Sequence, residues 1–186
     1  AFRDSVLSVT GQLNRTMRGP SVYPALPGAV LAGQSRPGSG WGKALAQSEG
    51  RRSVYIFSKR SLAVPELALL DAPNSTDSCS QRAVSTTGPQ ALTFLNGTFM
   101  TSRAAAFAAR LAADAGTGRE NQVELAFRLA MCRPPTAEEL AMSIAFLSEQ
   151  AKLTPNGTQP DKDPARRAMI ALCLVLLNTN EFAYTR

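Results

Sequence analysis

Apolar side chains recur every three or four residues in several segments of the chain, which is the spacing of one face of an α-helix. The pattern predicts helices over residues 2–13, 65–70, 89–96, 99–115, 120–132, 137–151 and 164–177. The last of these segments is apolar on nearly all sides from Ala168 to Leu177. Because a helix of that kind is buried, we expect the other helices to pack around it.

Start signals support two of these helices. Thr87 is followed three residues later by Gln90, and Thr136 by Glu139, which is the capping-box pattern of a helix N-terminus. Pro89 would lie in the first turn, where its missing N–H leaves no hydrogen bond unmade. The sequence therefore predicts a mainly α fold: an orthogonal or irregular bundle of five to seven helices around a buried C-terminal helix, with a long Gly/Pro-rich loop and at most one or two short strands.

Residues 19–43 show no regular pattern and contain four prolines and six glycines. So long an irregular stretch is typical of a functional loop or of a segment that lies over a neighbour. Tyr23 and Trp41 are its two large aromatic residues. They either fix the loop to the domain or form a platform on which a ligand stacks.

The best strand candidate follows this loop. In the segment RRSVYIFSKRSL, at residues 51–62, the alternation of side chains predicts a strand over residues 53–59. Four basic residues flank it, namely Arg51, Arg52, Lys59 and Arg60. This cluster indicates either a solvated rim paired with internal acids or a binding site for an anionic ligand.

The segment 71–96 combines acidic, hydroxyl and basic residues, and we expect the rest of the chain to be arranged around it. Asp71, Asn74 and Asp77 could offer oxygen ligands, but their spacing is not that of an EF-hand. We interpret them as turn and helix-end hydrogen-bonding groups. Arg82 is expected to fork its guanidinium between a carboxylate and loop carbonyls, which would hold the segment in place. Structural roles are thus predicted for Arg82, Cys79, Thr87 and Thr136.

Positive charge is concentrated in the N-terminal third. The net charge is +6, but residues 1–60 carry nine Arg or Lys against two acids, and residues 61–186 carry eleven against twelve. A basic surface of this kind suits a phosphate group, an acidic polysaccharide or an acidic neighbouring domain. Nucleic acid is not expected as a partner, because no aromatic residues alternate with the basic ones in a known binding motif.

Histidine is absent and cysteine occurs three times, which excludes several chemistries within this chain. A Ser-His-Asp or Cys-His catalytic set, a histidine zinc site and a C-x-x-C-H haem attachment all require histidine. No cofactor and no metal site are expected. Cys132 and Cys173 lie in apolar helical segments, so we expect them to be close neighbours in the core, either as packed thiols or as a disulfide.

At 186 residues and 44% hydrophobic composition, the chain is long enough for one compact domain, and we expect residues 1–186 to form a single helical domain. Its longest apolar run, Ala168–Leu177, is ten residues, which is too short for a transmembrane segment. The helical pattern begins at Phe2 with no cap or leader ahead of it. We therefore expect the chain to be the C-terminal fragment of a larger protein.

Seven motifs follow one another along the chain: RDSVLSVTGQLN, GPSVYP, RRSVYIFSKRSL, DAPN with SC and R after it, TTGPQALTFLN, FRLAMCRPPTAEEL and LLNTNEF. Together they resemble the C-terminal part of the domain-of-unknown-function family 1553 of planctomycete-type bacterial proteins. The resemblance implies an extracytoplasmic protein, periplasmic or at the cell surface, with a c-type cytochrome domain and a companion domain of unknown function upstream. It brings no established activity and no assigned catalytic residues, so none is carried over to this chain.

Two functions fit these observations, and we favour the first. It is a non-catalytic helical scaffold or interaction module that holds upstream domains of the same polypeptide, or an anionic polymer, near a redox domain. The alternative is a carboxylate-dependent hydrolase acting on polysaccharide, with general acid and base drawn from Asp71, Asp77 and Glu181. That enzyme would need two of these carboxylates within about 5–10 Å of each other in a cleft.

Overall fold

The computed structural model describes residues 2–26, 28–36, 38–43, 50–62, 64–73, 78–81, 85, 87–153 and 163–184. Within these ranges the chain forms helices and no strand. The helices are α1 Phe2–Val9, α2 Gly28–Ala32, a 3₁₀ helix Ser53–Tyr55, α3 Pro65–Leu69, α4 Gly88–Asn96, α5 Thr98–Ala115, α6 Arg119–Met131, α7 Ala137–Lys152, α8 Pro164–Leu177 and α9 Asn180–Ala183. The predicted mainly α fold is confirmed.

The chain divides into two compact units. Unit 1 comprises residues 1, 3 and 12–92, and unit 2 comprises residues 2, 4–11 and 93–186. The predicted single domain stays a prediction. Among the described residues, no helix combines the length and the apolar character needed to cross a membrane.

Unit 2 is built around α8. This helix packs against α5, α6, α7 and α9, because its apolar residues project on nearly all sides. Its buried residues are Ala168, Met169, Leu172, Cys173, Leu176 and Leu177. On the facing helix α5, Phe107 and Leu111 are fully buried. The apolar pattern of residues 168–177 therefore predicted the centre of this unit correctly.

The ends of the long helices follow their sequence signals. The Thr136 N–H donates to the Glu139 carboxylate over 2.7 Å, and the Glu139 N–H donates to the Thr136 hydroxyl over 3.2 Å, which completes the predicted capping box at α7. The Asp163 carboxylate caps α8 by accepting from the Ala165 N–H at 3.0 Å. Helix α5 ends at Gly116, which has a φ of +68°, a conformation that favours glycine.

The predicted strand over residues 53–59 is wrong for the described structure. The segment begins with the 3₁₀ helix Ser53–Tyr55 and then meets the long loop at a single parallel bridge between Val22 and Ile56. Val22 donates to the Tyr55 carbonyl over 2.8 Å and accepts from the Phe57 N–H at 2.9 Å. On the long loop, the next residues that could pair lie two positions before and after Val22. These are residues 20 and 24, and both are proline. Because proline has no N–H to donate, the ladder cannot extend.

The prediction for Cys132 and Cys173 is only half confirmed. Cys173 is fully buried in α8, and its burial raises the pKa of the thiol above its ordinary range. Cys132 is exposed, and all three cysteines are free, so neither a buried Cys132 nor the disulfide is present. Cys132 follows the last residue of α6 with a φ of +57°, which turns the chain out of the helix and carries the thiol into solvent.

Candidate functional site

Unit 1 contains a cavity of about 550 Å³ between two irregular segments. One segment follows α2 and the other follows the 3₁₀ helix. Most of the lining is polar, and the polar residues are Gln34, Ser35, Arg36, Ser39, Lys59 and Ser61. None of the described lining residues is acidic. The cavity therefore presents positive charge and hydroxyl groups.

Hydrogen bonds between the two segments fix the shape of this cavity. The Lys59 ammonium donates to the Ser39 carbonyl, and the Gln34 amide nitrogen lies 3.5 Å from the Ser61 carbonyl. On its own segment, Lys59 forms an antiparallel bridge with Leu62. These contacts join the two sides of the cavity, although neither side is a regular element.

The Gln34 amide oxygen has an unmet hydrogen-bonding requirement. It is buried and has no hydrogen-bond partner among the residues that the structure describes. A buried acceptor without a donor is unusual in a folded protein and calls for a physical explanation. Since Gln34 lines the cavity, a ligand that brings a donor and turns the amide oxygen toward itself is one such explanation.

An aromatic cluster forms in the same unit. The rings of Tyr23 and Trp41 meet edge to face at 5.5 Å between centroids, and both contact Phe57, at 5.0 Å and 6.1 Å. The Trp41 indole N–H donates to the Pro24 carbonyl at 3.2 Å. A Cβ on Gly42 would lie 2.6 Å from the Tyr23 ring, so the packing is close. These contacts connect the long loop to the segment that contains Phe57. The stacking of a ligand on Tyr23 and Trp41 stays a prediction.

Arg51 is buried, with 7% of its surface exposed, and it organises a loop rather than a surface. Its guanidinium donates to the Pro20 carbonyl at 2.8 Å, to the Thr16 carbonyl at 3.4 Å and to the Arg18 carbonyl. The group also lies 4.0 Å from the centre of the Tyr55 ring. Arg18 has a φ of +65° and Gly19 follows with +86°. Arg51 therefore collects the carbonyls of a tightly turned loop.

The four basic residues of the predicted anion site thus occupy different environments. Arg51 is enclosed, Lys59 is half-buried at the cavity, and Arg52 and Arg60 are exposed. The cavity adds Arg36, which the sequence interpretation did not single out. The only signal that could have indicated it was the length of the irregular stretch in which it lies. Anion binding by these side chains stays a prediction.

Asp71 lies at the start of the segment predicted to organise the chain, with a φ of +55°. Its carboxylate accepts from the Ser85 N–H at 2.8 Å and from the Ser85 hydroxyl at 2.9 Å. The Gln90 amide donates to the Ser85 hydroxyl at 2.9 Å and accepts from the Thr87 N–H at 2.9 Å. This network connects Asp71, at the start of the segment, to the first turn of α4 near the segment's end.

Several predicted residues of this segment lie outside the described residues. They are Asn74, Asp77 and Arg82, so the arginine clasp and the pairing of Asp71 with Asp77 stay predictions. Cys79 is described and exposed, and its thiol contacts the Gln81 carbonyl at 3.2 Å.

Glu181, the third carboxylate considered for catalysis, belongs to an ion-pair cluster in unit 2. The Arg133 guanidinium donates to Glu181 over 2.8 and 2.9 Å and to Glu139 over 2.7 and 2.8 Å. Hydrogen bonds from Arg133 lower the pKa of Glu181. For Glu139, the bonds from Arg133 and then from the Thr136 N–H lower the pKa to about 2. The cluster joins the turn between α6 and α7 to α9.

This cluster predicts a loss of stability in acid. The folded-state pKa of Glu139 lies below its ordinary value of 4.5, so its contribution is complete above that value and is lost as the pH falls toward about 2. We expect Glu139→Gln to lower the denaturation midpoint of unit 2 at neutral pH and to flatten its dependence on pH in that window. Circular dichroism with urea at several pH values measures both effects.

Glu138→Gln is the matched control, because it removes the same charge from the adjacent exposed position. It should reproduce the midpoints of the unaltered chain. If the two variants give the same pH dependence, the cluster does not contribute to stability.

These features define a mainly helical protein in which a loop-rich unit carries a basic cavity. The chain belongs to the family described as "Protein of unknown function (DUF1553)", whose family model matches residues 1–147. This confirms the family that the seven motifs predicted. No curated protein and no solved structure gives a significant match to the chain.

Proposed function

We propose that this chain is a non-catalytic interaction module in which unit 1 binds an anionic polymer. The helical unit 2 is the scaffold, and the chain positions the polymer beside upstream domains of the same polypeptide. We place it in a large extracytoplasmic bacterial protein, at the cell surface or in the periplasm, with a redox domain among its neighbours. This location and these neighbours rest on the family resemblance alone.

The distribution of charge between the two units carries this proposal. Unit 1 contains ten Arg or Lys and four Asp or Glu, whereas unit 2 contains ten of each. The whole net charge of +6 therefore belongs to unit 1. A surface of one sign raises the local concentration of partners of the other sign and speeds their association.

Several ion pairs lie in unit 2, and exposed cations lie in unit 1. In unit 2, Arg133 pairs with two carboxylates, and Arg110 pairs with Asp114 at 3.2 Å. In unit 1, Arg52 and Arg60 are exposed and have no ion-pair partner among the described residues. Two cations in contact with solvent are thus available to an incoming anion.

Asp71 and Glu181, the two described carboxylates of the alternative hydrolase, do not favour catalysis. A general acid needs a pKa raised toward the working pH, whereas Arg133 lowers the pKa of Glu181. Asp71 accepts hydrogen bonds from Ser85, which suits a turn that it stabilises. We therefore do not carry the hydrolase forward.

A comparison of charge reversals in the two units tests this function. Arg52→Glu with Arg60→Glu removes cations from unit 1, and Arg119→Glu with Arg128→Glu makes the same change in net charge at exposed positions of unit 2. The affinity for polygalacturonate, measured by calorimetry at several salt concentrations, should fall as salt increases. The unit 1 pair should weaken it by about tenfold or more, and the unit 2 pair by about threefold or less.

Equal losses in the two double variants would contradict the assignment to unit 1. Binding that is absent at low salt in the unaltered chain would overturn the proposed function itself.

A further inference from the structure

We propose that the cavity of unit 1 is a subsite for one acidic sugar residue, a ring that carries both hydroxyl groups and a carboxylate or sulfate. This inference rests on the proposed function, because it names the unit of the polymer that the module would recognise. It goes further because it assigns the recognition of the sugar to particular side chains. A basic surface alone would attract any polyanion.

The cations of the cavity provide the first half of this recognition. Lys59 and Arg36 line it, and no described lining residue is acidic. The Lys59 ammonium has three N–H donors and uses one on the Ser39 carbonyl, so it is held in place while donors remain. A carboxylate or sulfate in the cavity would receive charge-assisted hydrogen bonds from these two residues.

The hydroxyl and amide groups provide the second half. Ser35, Ser39 and Ser61 line the cavity, and each hydroxyl can donate one hydrogen bond and accept others. The Gln34 amide oxygen accepts no hydrogen bond from the described residues, and a fully ionised anion without hydroxyl groups has no hydrogen to donate to it. A sugar hydroxyl supplies this hydrogen when the Gln34 amide turns toward it. The ligand that matches the whole lining is therefore both anionic and hydroxylated.

The size and the remaining surface agree with a sugar ring. The volume of about 550 Å³ lies within the range of roughly 300–1,000 Å³ that small-molecule sites occupy. Val30 and Leu62 are the apolar side chains of the lining, and the C–H face of a pyranose can pack on such groups. An apolar ligand would leave the cations and serines of the cavity desolvated and unpaired.

The experiment compares four probes: glucuronate, glucose, acetate and poly-L-glutamate. Glucuronate carries both features of the proposed ligand, and each of the others lacks either the charge or the hydroxyl groups. We expect glucuronate to bind at least about fivefold more tightly than glucose or acetate in a nuclear magnetic resonance titration, since only it meets both sets of groups. Glucuronate should also compete with polygalacturonate for binding. Such competition is expected because the free sugar and one unit of the polymer would occupy the same site.

Three variants assign the effect to residues. Arg36→Gln should weaken glucuronate binding by about five- to tenfold, because it removes a charge-assisted hydrogen bond. Gln34→Met should weaken glucuronate binding and leave poly-L-glutamate binding unchanged, because it removes only the amide. Arg15→Gln takes the same charge from an exposed position of unit 1 as Arg36→Gln but lies outside the cavity lining, and its effect should be about twofold or less. Trp41 fluorescence during denaturation checks that unit 1 remains folded in each variant.

Glucuronate binding that is no tighter than acetate or glucose binding would overturn the subsite. So would equal effects of Arg36→Gln and Arg15→Gln. If salt-dependent polygalacturonate binding persists in that case, the proposed function stands and only the subsite is wrong. If polygalacturonate does not bind either, both proposals fail.

Discussion

Replacing Phe107 with alanine is expected to lower the free energy of unfolding of unit 2 by about 3–5 kcal/mol. The ring has no exposed surface and lies in the core cluster to which α1, α5, α6, α7, α8 and α9 contribute. Its removal exposes no new polar group, so the cost comes from lost burial and from the cavity that remains. Helical circular dichroism measures it, because the four longest helices of the described chain, α5 to α8, all belong to unit 2.

Met142→Ala is the control for this prediction. Met142 lies on α7 with 58% of its surface exposed, and a surface substitution of this kind changes stability by about 0.5 kcal/mol or less. A Phe107→Ala effect as small as that of Met142→Ala would mean that α5 does not contribute a buried face.

The second large effect is expected at Arg51. Arg51→Met should destabilise unit 1 by about 2–3 kcal/mol, since the Thr16, Arg18 and Pro20 carbonyls lose the donors that hold their loop. Arg51→Lys should recover little of this, because an ammonium cannot reproduce the planar fork of a guanidinium. Trp41 is the only tryptophan of the chain and belongs to unit 1, so its fluorescence reports this transition.

The exposed neighbour Arg52 supplies the comparison. Arg52→Met removes the same charge without removing a buried donor, and its midpoint should stay within about 0.5 kcal/mol of the unaltered chain. Equal midpoints for Arg51→Met and Arg52→Met would show that the buried guanidinium does not organise the loop.

Local signals in the sequence predicted unit 2 well. Thr136 and Glu139 form a capping box within four residues, Pro164 opens α8, and Gly116 ends α5. Each of these features acts within one turn of helix, so the residues that determine it are near neighbours in the chain. The apolar face that each helix buries likewise depends only on spacing along that helix.

Unit 1 could not be predicted in the same way, because distant residues determine it. Arg51 contacts carbonyls more than thirty positions earlier in the chain, and no local pattern distinguishes it from the exposed Arg52. The strand prediction failed for a related reason. Alternating side chains at residues 53–59 suited a strand, but the partner segment carries prolines that limit pairing to one bridge.

The residues of the candidate site could not be predicted from local sequence patterns either. Arg36 and Lys59 are far apart in the sequence and come together only because irregular segments cross in unit 1. The Arg133 cluster also joins side chains from separate helices, since Glu181 follows Arg133 by 48 positions. Sequence spacing cannot reveal that such residues meet. The charge excess of residues 1–60, in contrast, is visible in the sequence, and the prediction of anion binding there rests on it.

The most direct test of anion binding by unit 1 is a residue-by-residue map of where an anionic polymer binds. Short polygalacturonate fragments are added to the isotopically labelled chain, and changes in the backbone amide resonances are followed by nuclear magnetic resonance. We predict changes concentrated in residues 33–40 and 51–62 of unit 1, weakening as salt is added. Changes concentrated in the helices of unit 2, or spread evenly over both units, would contradict the claim that unit 1 is the binding surface.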